Sequence, residues 1–145
     1  KKIIESEPEV VSHNIETVRR LSPKVRDSRA TYDQSLSVLK KIKEINPKIY
    51  TKSSFMVGHG ETKEEVIQTA SDLKSANVDV ITAGQYLQPS LNHLPVVEYV
   101  HPEKFASYQK IFEEMGFLHV VVGPFVRSSF QAADFIEKIK SVKRS

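Results

Sequence analysis

The stretch that decides the fold is an apolar run closed by a glycine-containing turn: Ile49-Tyr50-Thr51-Lys52-Ser53-Ser54-Phe55-Met56-Val57-Gly58-His59-Gly60. The run is rich in β-branched and aromatic residues, which predicts a strand buried on both faces. Thr62 and Glu65 fit a capping box, so a helix is expected immediately after the turn. A buried strand that leads directly into a helix is typical of a parallel sheet covered by helices.

Upstream of this stretch the chain shows the same order of strand and helix. Residues 10–13 predict a short strand, and Asn14 is the expected N-cap of a helix over residues 15–21. A further helix is predicted to begin at the capping box formed by Thr31 and Gln34. The sequence upstream of residue 49 therefore predicts strand and helix elements that precede the strand over residues 49–57.

Downstream, residues 78–83 and 119–122 predict two more strands, with a helix from Pro102 to Gly116 between them. An amphipathic helix is expected to continue through about Ile139. The pattern predicts an α/β fold of parallel strands covered by helices. It has too few units for a complete eight-fold barrel of roughly 250 residues, so half a barrel or a small doubly wound sheet is expected.

Composition and charge restrict the class of protein. The chain has 145 residues, which favours one domain over 1–145, and its formal net charge is +3. No window has the roughly 18 apolar residues of a membrane span, so no membrane partner is expected. Cysteine is absent. That absence excludes disulfides, cysteine nucleophiles and any iron–sulphur cluster held by thiolates of this chain.

A basic cluster lies in the first part of the chain. It consists of Arg19, Arg20, Lys24, Arg26 and Arg29. Such a cluster occurs as a solvated helix end, as a docking site for an acidic protein, or as a nucleic-acid surface. It contains no interleaved aromatic residues for stacking on bases, so no nucleic-acid partner is expected. The solvated helix end is the favoured interpretation, and docking of an acidic protein is the alternative.

Polar residues are expected at the carboxyl ends of three of the predicted strands. They are Ser12-His13-Asn14, Thr51-Lys52-Ser53-Ser54, and Gly84-Gln85 with Gln88. The carboxyl ends of parallel strands meet at one edge of the sheet, where α/β proteins bind their ligands. Each residue alone is typical of a hydrogen-bonded strand end, although a lysine within an apolar run is unusual. Polar residues at the same end of three parallel strands predict a ligand site.

Several strings of sequence carry a resemblance to a known family. They are His13-Asn14-Ile15-Glu16-Thr17-Val18, Thr51-Lys52-Ser53, Met56-Val57-Gly58, Gly60-Glu61-Thr62, Gly84-Gln85-Tyr86-Leu87-Gln88-Pro89 and Gly123-Pro124-Phe125-Val126-Arg127-Ser128-Ser129-Phe130. In this order and spacing the strings resemble the C-terminal half of lipoyl synthase, a radical S-adenosylmethionine family. The resemblance implies a partial (β/α) barrel of the TIM type. The Arg-Ser-Ser-Phe segment, in about 119–145, would belong to this half.

The resemblance implies an enzyme that inserts two sulphur atoms into an octanoyl chain carried on a protein lysine. Such enzymes use S-adenosyl-L-methionine and two 4Fe–4S clusters, one to generate a 5′-deoxyadenosyl radical and an auxiliary one as sulphur donor. The cluster cysteines belong to the N-terminal half, so this chain alone is expected to be inactive. The implied partners are the octanoylated lipoyl-carrier domain, the N-terminal half and an electron donor for cluster reduction. The expected location is the cytoplasm, with the mitochondrial or plastid matrix as the alternative.

The resemblance also implies roles for individual residues. Ser129 matches the serine ligand of the auxiliary cluster, Ser128 is the alternative, and Arg127 is expected to hold that segment or balance the cluster's charge. Ser129 and Arg127 are thus the expected catalytic residues. The residues expected to bind S-adenosyl-L-methionine are Asn14, Glu16, Lys52, Ser53, Gln85 and Gln88.

The chain departs from the family pattern at a few positions. Ser54 stands where the family usually has Gly, His59 where it has Leu, and Phe130 where it has Tyr. A second class of function stays open, namely a non-catalytic α/β module that binds a ligand or a carrier through the basic cluster. The resemblance implies that each of the two clusters is bound by a triplet of cysteines in the N-terminal half. Whether the gene or a second polypeptide encodes these two triplets would distinguish the enzyme from the binding module.

Overall fold

A computed structural model of the chain describes residues 10–26 and 29–126. The elements in chain order are β1 (Val10–Ser12), a 3-10 turn (Arg19–Leu21), α1 (Ser22–Val25), α2 (Tyr32–Ile45), β2 (Tyr50–Val57), α3 (Lys63–Ser75), β3 (Val80–Gln85), α4 (Pro102–Glu114) and β4 (His119–Val122). The expectations for Arg127, Ser128, Ser129, Phe130 and the helix through Ile139 fall outside the described residues.

Within the described residues the strands form one parallel sheet in the order β1-β2-β3-β4. Ser12 lies opposite Lys52, and Lys52 lies opposite Val80 in the next strand. Strand order that follows the sequence is that of consecutive β/α units in a barrel, whereas a doubly wound sheet reverses its order at a switch point. The predicted α/β class with parallel strands and helices is confirmed.

The two capping boxes that the sequence predicts are both formed. Thr31 Oγ1 accepts a hydrogen bond from the Gln34 N–H at 3.1 Å, and Gln34 Oε1 accepts from the Thr31 N–H at 3.4 Å. Thr62 and Glu65 repeat the arrangement at 3.2 and 2.9 Å. Each box satisfies N–H groups that have no partner inside the helix, which fixes where α2 and α3 begin.

The helix expected over 15–21 with Asn14 as its N-cap is wrong. The chain after β1 instead continues beside β2, where the Glu16 N–H donates to the Ser54 carbonyl and the Glu16 carbonyl accepts from the Met56 N–H, both at 3.0 Å. Since β2 extends beyond β1, its edge has backbone groups that need partners, and this segment satisfies them. The helical turn begins only after this segment.

The third strand begins at Val80 rather than at residue 78, and it ends at Gln85. Asn77 adopts a left-handed φ of 63° directly after α3, and the Val78 N–H donates to the Leu73 carbonyl at 3.1 Å. Residues 77 and 78 therefore complete the end of the helix instead of starting the strand. Because the strand ends at residue 85 and not at residue 83, Gln85 is part of the sheet.

The two faces of the sheet differ in chemistry because successive side chains alternate between them. One face packs on the helices, and Phe55, Val57, Ile81 and Ala83 join helix residues such as Phe112 in the hydrophobic core. We call the opposite side the inner face, and by alternation and register it carries Ser12, Lys52, Ser54, Thr82 and Gly84. No helix among the described residues has both the length and the apolar character that a membrane crossing requires.

Candidate functional site

The inner face carries buried polar side chains on β2 and β3. Ser54 Oγ and Thr82 Oγ1 hydrogen-bond to each other between the two strands, and both residues are buried. Lys52 precedes Ser54 on the same face and is only 3% exposed. Burial lowers the pKa of the Lys52 ammonium below its ordinary value because desolvation disfavours the charged form. Buried hydroxyls beside a lysine are typical of a site for a polar ligand rather than of a hydrophobic core.

The segment after β1 places Asn14 and Glu16 at the carboxyl edge of the sheet. Asn14 Oδ1 is buried and has no hydrogen-bond partner among residues 10–26 and 29–126. Glu16 is exposed and adopts a left-handed φ of 75°, which is uncommon for a residue other than glycine. A buried amide oxygen needs a donor, so Asn14 is suited to contact a ligand that donates a hydrogen bond.

Ser53 lies beside Lys52 but points toward the opposite face of the sheet. Its Oγ accepts a hydrogen bond from the Ile15 N–H at 3.0 Å, and the residue is fully buried. The contact ties the segment that carries Asn14 to β2. Ser53 therefore supports the candidate site by holding this segment, and its predicted contact with a cofactor stays a prediction.

Gln85 closes the long loop that follows β3. Its Nε2 donates to the carbonyls of Tyr86 and Glu98, both at 2.9 Å, and its Oε1 accepts from the Val100 N–H at 2.8 Å. These bonds join the end of β3 to residues 98 and 100. Gln88 lies within the loop, is exposed and donates to the His93 carbonyl at 2.9 Å. The structure thus separates Gln85, which is buried in the sheet, from Gln88, which lies on the surface.

Glu61 holds the turn after β2, a role that the sequence analysis did not assign to it. Its carboxylate accepts hydrogen bonds from the Gly58 N–H at 3.0 and 3.1 Å and from the His59 N–H at 3.0 Å. Gly58 and Gly60 both adopt left-handed φ values, 109° and 99°, which glycine reaches without steric cost, and the Glu61 side chain satisfies the N–H groups of residues 58 and 59. The signal was a glutamate placed directly after a Gly-x-Gly turn at the end of a buried strand.

His59 borders an apolar cavity of about 210 Å³ at this edge. The cavity is lined by Leu21, Lys24, Val25, His59, Leu94, Pro95 and Val97. The His59 ring lies 4.1 Å from the Tyr86 ring, measured between centroids, and the residue is 8% exposed. Burial lowers the pKa of His59, so the imidazole is neutral at pH 7.

The basic cluster forms contacts within the protein. Arg19 pairs with Asp33 at 2.5 Å, and Arg20 donates two hydrogen bonds to the Glu65 carboxylate at 2.8 and 3.0 Å. Arg26 donates to hydroxyl and carbonyl groups at the start of α2. These contacts join the segment after β1 to the N-termini of α2 and α3. They favour the interpretation of the cluster as a helix-end structure over that of a docking surface.

Consecutive parallel β/α units whose strands follow the order of the sequence define this chain as a segment of a β/α barrel. No family model matches the chain. The chain is related to lipoyl synthases over nearly its whole length, as the sequence resemblance indicated.

The relatives include organellar and bacterial proteins. The chain is 56% identical over 138 residues to "Lipoyl synthase, apicoplast" of Plasmodium knowlesi (strain H), which covers 95% of this chain and 31% of that protein. It is 51% identical over 136 residues to "Lipoyl synthase" of Shouchella clausii, with coverage of 94% and 44%. The protein of the same name from Bacillus velezensis is 48% identical over all 145 residues, which are 48% of its length. The chain thus spans less than half the length of these relatives.

No cluster of three or more His, Cys, Asp or Glu side chains that could hold a metal ion occurs in the part of the chain that the structure describes. Cysteine is absent from the entire sequence. Thiolate ligands for an iron–sulphur cluster must therefore come from outside these 145 residues.

Proposed function

We propose that this chain is the C-terminal half of a lipoyl synthase, which inserts sulphur into a protein-bound octanoyl chain by radical S-adenosylmethionine chemistry. The observation that carries the proposal is a pair of buried polar side chains. Asn14, with its buried Oδ1 atom, follows β1, and Lys52 lies in the neighbouring strand β2. The two residues belong to the strings that resemble lipoyl synthase, and Asn14 Oδ1 has no hydrogen-bond partner within the described residues. The relatives of that name support the same assignment.

We assign Asn14 and Lys52 to S-adenosyl-L-methionine on the chemistry of their side chains. The buried oxygen of Asn14 fits a hydroxyl or ammonium donor, and the Lys52 ammonium fits a carboxylate. An anionic group of the ligand next to Lys52 would raise the pKa of its ammonium again, because opposite charges favour the charged form. Glu16 and Gln88 lie at the rim in this proposal, while Ser53 and Gln85 hold the two loops in place.

In the proposed function, Asn14 and Lys52 would hold S-adenosyl-L-methionine, which with a reduced 4Fe–4S cluster would supply a carbon radical, and the auxiliary 4Fe–4S cluster would supply the sulphur. The residues of this chain bind and orient the reactants and exclude water from the inner face, which protects reactive intermediates from side reactions. We assign Ser129 as the serine ligand of the auxiliary cluster, Ser128 as its alternative, and Arg127 as the neighbouring cation. The N-terminal half supplies the cysteine ligands.

The proposed partners follow from this chemistry. They are an octanoylated lipoyl-carrier domain, the N-terminal half and an electron donor that reduces the cluster. We place the complete protein in the cytoplasm, and the apicoplast names of several relatives favour an organelle matrix as the alternative.

The experiment that tests the proposal compares Asn14→Ala with Asn92→Ala in the complete, anaerobically reconstituted protein. Loss of one buried hydrogen bond of about 1.4 kcal/mol should weaken binding of S-adenosyl-L-methionine about tenfold in Asn14→Ala. Asn92 lies in an exposed part of the loop after β3, so Asn92→Ala should bind like the wild type. Unchanged affinity in Asn14→Ala would contradict the assigned site.

A further inference from the structure

Gly84 lies on the inner face of β3, where the backbone of a later segment passes directly over it. A Cβ atom at this position would lie 2.2 Å from the Val126 carbonyl oxygen and 3.1 Å from the Val126 carbonyl carbon. Cβ atoms do not approach backbone atoms so closely, so position 84 has no room for any side chain. The φ of Gly84 is not in the left-handed region. Glycine is therefore required here by space and not by backbone conformation.

The segment that meets Gly84 begins at the end of β4. The Gly123 N–H donates to the Ala83 carbonyl at 3.1 Å, and the Val126 N–H donates to the Gly123 carbonyl at 3.3 Å. Val126 is buried, with 7% of its surface exposed. The chain thus leaves β4, turns at residues 123–126 and crosses β3 at Gly84.

Ser129 follows Val126 by three residues in the sequence. The contact at Gly84 therefore holds the chain three residues before the predicted cluster ligand.

We propose that Gly84 is a positioning residue: its missing side chain admits the Val126 carbonyl and so holds residues 123–126, which lead in sequence to Arg127, Ser128 and Ser129, against β3. The chemical consequence rests on the proposed function, in which Ser129 ligates the auxiliary cluster. A methyl group at position 84 would force residues 123–126 away from β3. A displacement of about 1 Å near a reacting group lowers a rate about 100-fold.

The test compares Gly84→Ala with Gly123→Ala in the complete, reconstituted protein. A Cβ at Gly123 would lie 3.7 Å from Val126 Cγ2, which is an ordinary contact, so the same substitution meets no obstacle there. We expect Gly84→Ala to lose about 100-fold in lipoyl product while it still forms 5′-deoxyadenosine. Its auxiliary-cluster spectrum, recorded by Mössbauer spectroscopy, should match that of Ser129→Ala. Gly123→Ala should match the wild type in both measurements.

The outcomes separate the inference from the proposed function. Wild-type product and spectrum in Gly84→Ala would overturn the positioning role and leave the proposed function intact. Full product formation by Ser129→Ala would instead contradict the ligand assignment itself. If thermal denaturation shows that Gly84→Ala does not fold, the test uses NMR spectroscopy of the wild type with isotope-labelled glycine and valine. A nuclear Overhauser effect between the Gly84 α protons and Val126 supports the inference, and its absence overturns it.

Discussion

Ser54 and Thr82 share a hydrogen bond between neighbouring strands on the inner face of the sheet, where both side chains are buried. Position 54 is one at which the resemblance to lipoyl synthases implies a glycine, and this chain has serine. The serine therefore adds a hydroxyl to the inner face, and Thr82 gives this hydroxyl a partner. The pair shows how this chain accommodates a polar side chain at that position.

The first prediction concerns the stability that this pair provides. Ser54→Ala should lower the free energy of unfolding by about 1–3 kcal/mol, because it leaves the buried Thr82 hydroxyl without its partner. The double variant Ser54→Ala with Thr82→Val replaces both partners by apolar groups, and most of the loss should be recovered. Urea denaturation measures four proteins, namely the wild type, the single variants Ser54→Ala and Thr82→Val, and the double variant. Strictly additive losses would show that the two hydroxyls do not interact.

The second prediction concerns Gln85 as the residue that closes the loop after β3. Gln85→Ala leaves the Glu98 carbonyl and the Val100 N–H without their partner, and Val100 is buried. We expect a loss of about 2–3 kcal/mol in the free energy of unfolding and faster hydrogen exchange at Val100. Gln88→Ala is the matched control, since Gln88 is exposed, and it should stay within about 0.5 kcal/mol of the wild type. Equal effects of the two substitutions would contradict the structural role of Gln85.

The third prediction concerns pH and His59. Burial lowers the pKa of His59 in the folded protein below its ordinary value of 6.5, so the unfolded chain binds more protons between the two pKa values. The stability from neutral His59 is thus fully present above pH 6.5 and is lost as the pH falls below it. His59→Leu cannot gain this proton and should lose less stability between pH 7 and pH 5 than the wild type. The prediction would be contradicted if the free energies of unfolding of the wild type and of His59→Leu differed by the same amount at pH 7 and at pH 5.

The fourth prediction concerns Ser129 in the complete enzyme. Ser129→Ala should abolish or severely slow lipoyl formation while 5′-deoxyadenosine still forms, because in the proposed function cleavage of S-adenosyl-L-methionine depends on the other cluster and on Asn14 and Lys52. Ser128→Ala is the matched control and should retain product formation. Both products are measured in a single turnover. If only Ser128→Ala loses the lipoyl product, the ligand assignment moves to Ser128.

Secondary-structure features that depend on residues close to one another in the sequence were predicted correctly. The Thr31 and Thr62 capping boxes depend on residues three positions apart, and β2 is a continuous run of strand-forming residues. The segment around Glu16 was predicted as a helix because its apolar spacing fits one. Its actual conformation depends on hydrogen bonds to Ser54 and Met56, about forty residues away, which local spacing cannot reveal.

The sequence analysis singled out polar residues on three strands but not the contacts that each one makes. The expectation that residues 51–54 lie at a carboxyl strand end is wrong, because β2 continues to Val57 and Lys52 lies opposite Val80, the first residue of β3. Whether Gln85 binds a ligand or the backbone depends on how residues 98 and 100 return to β3, and this return is not visible in sequence. The space requirement at Gly84 likewise arises from Val126, a residue far along the chain.

The most direct test of the central claim is the mass of an octanoylated lipoyl-carrier domain after one turnover with the complete, reconstituted protein, S-adenosyl-L-methionine and a reductant. The account predicts that two hydrogens of the octanoyl chain are replaced by two sulphur atoms. A carrier domain that keeps its octanoyl mass, while 5′-deoxyadenosine is formed and both clusters are loaded, would contradict it.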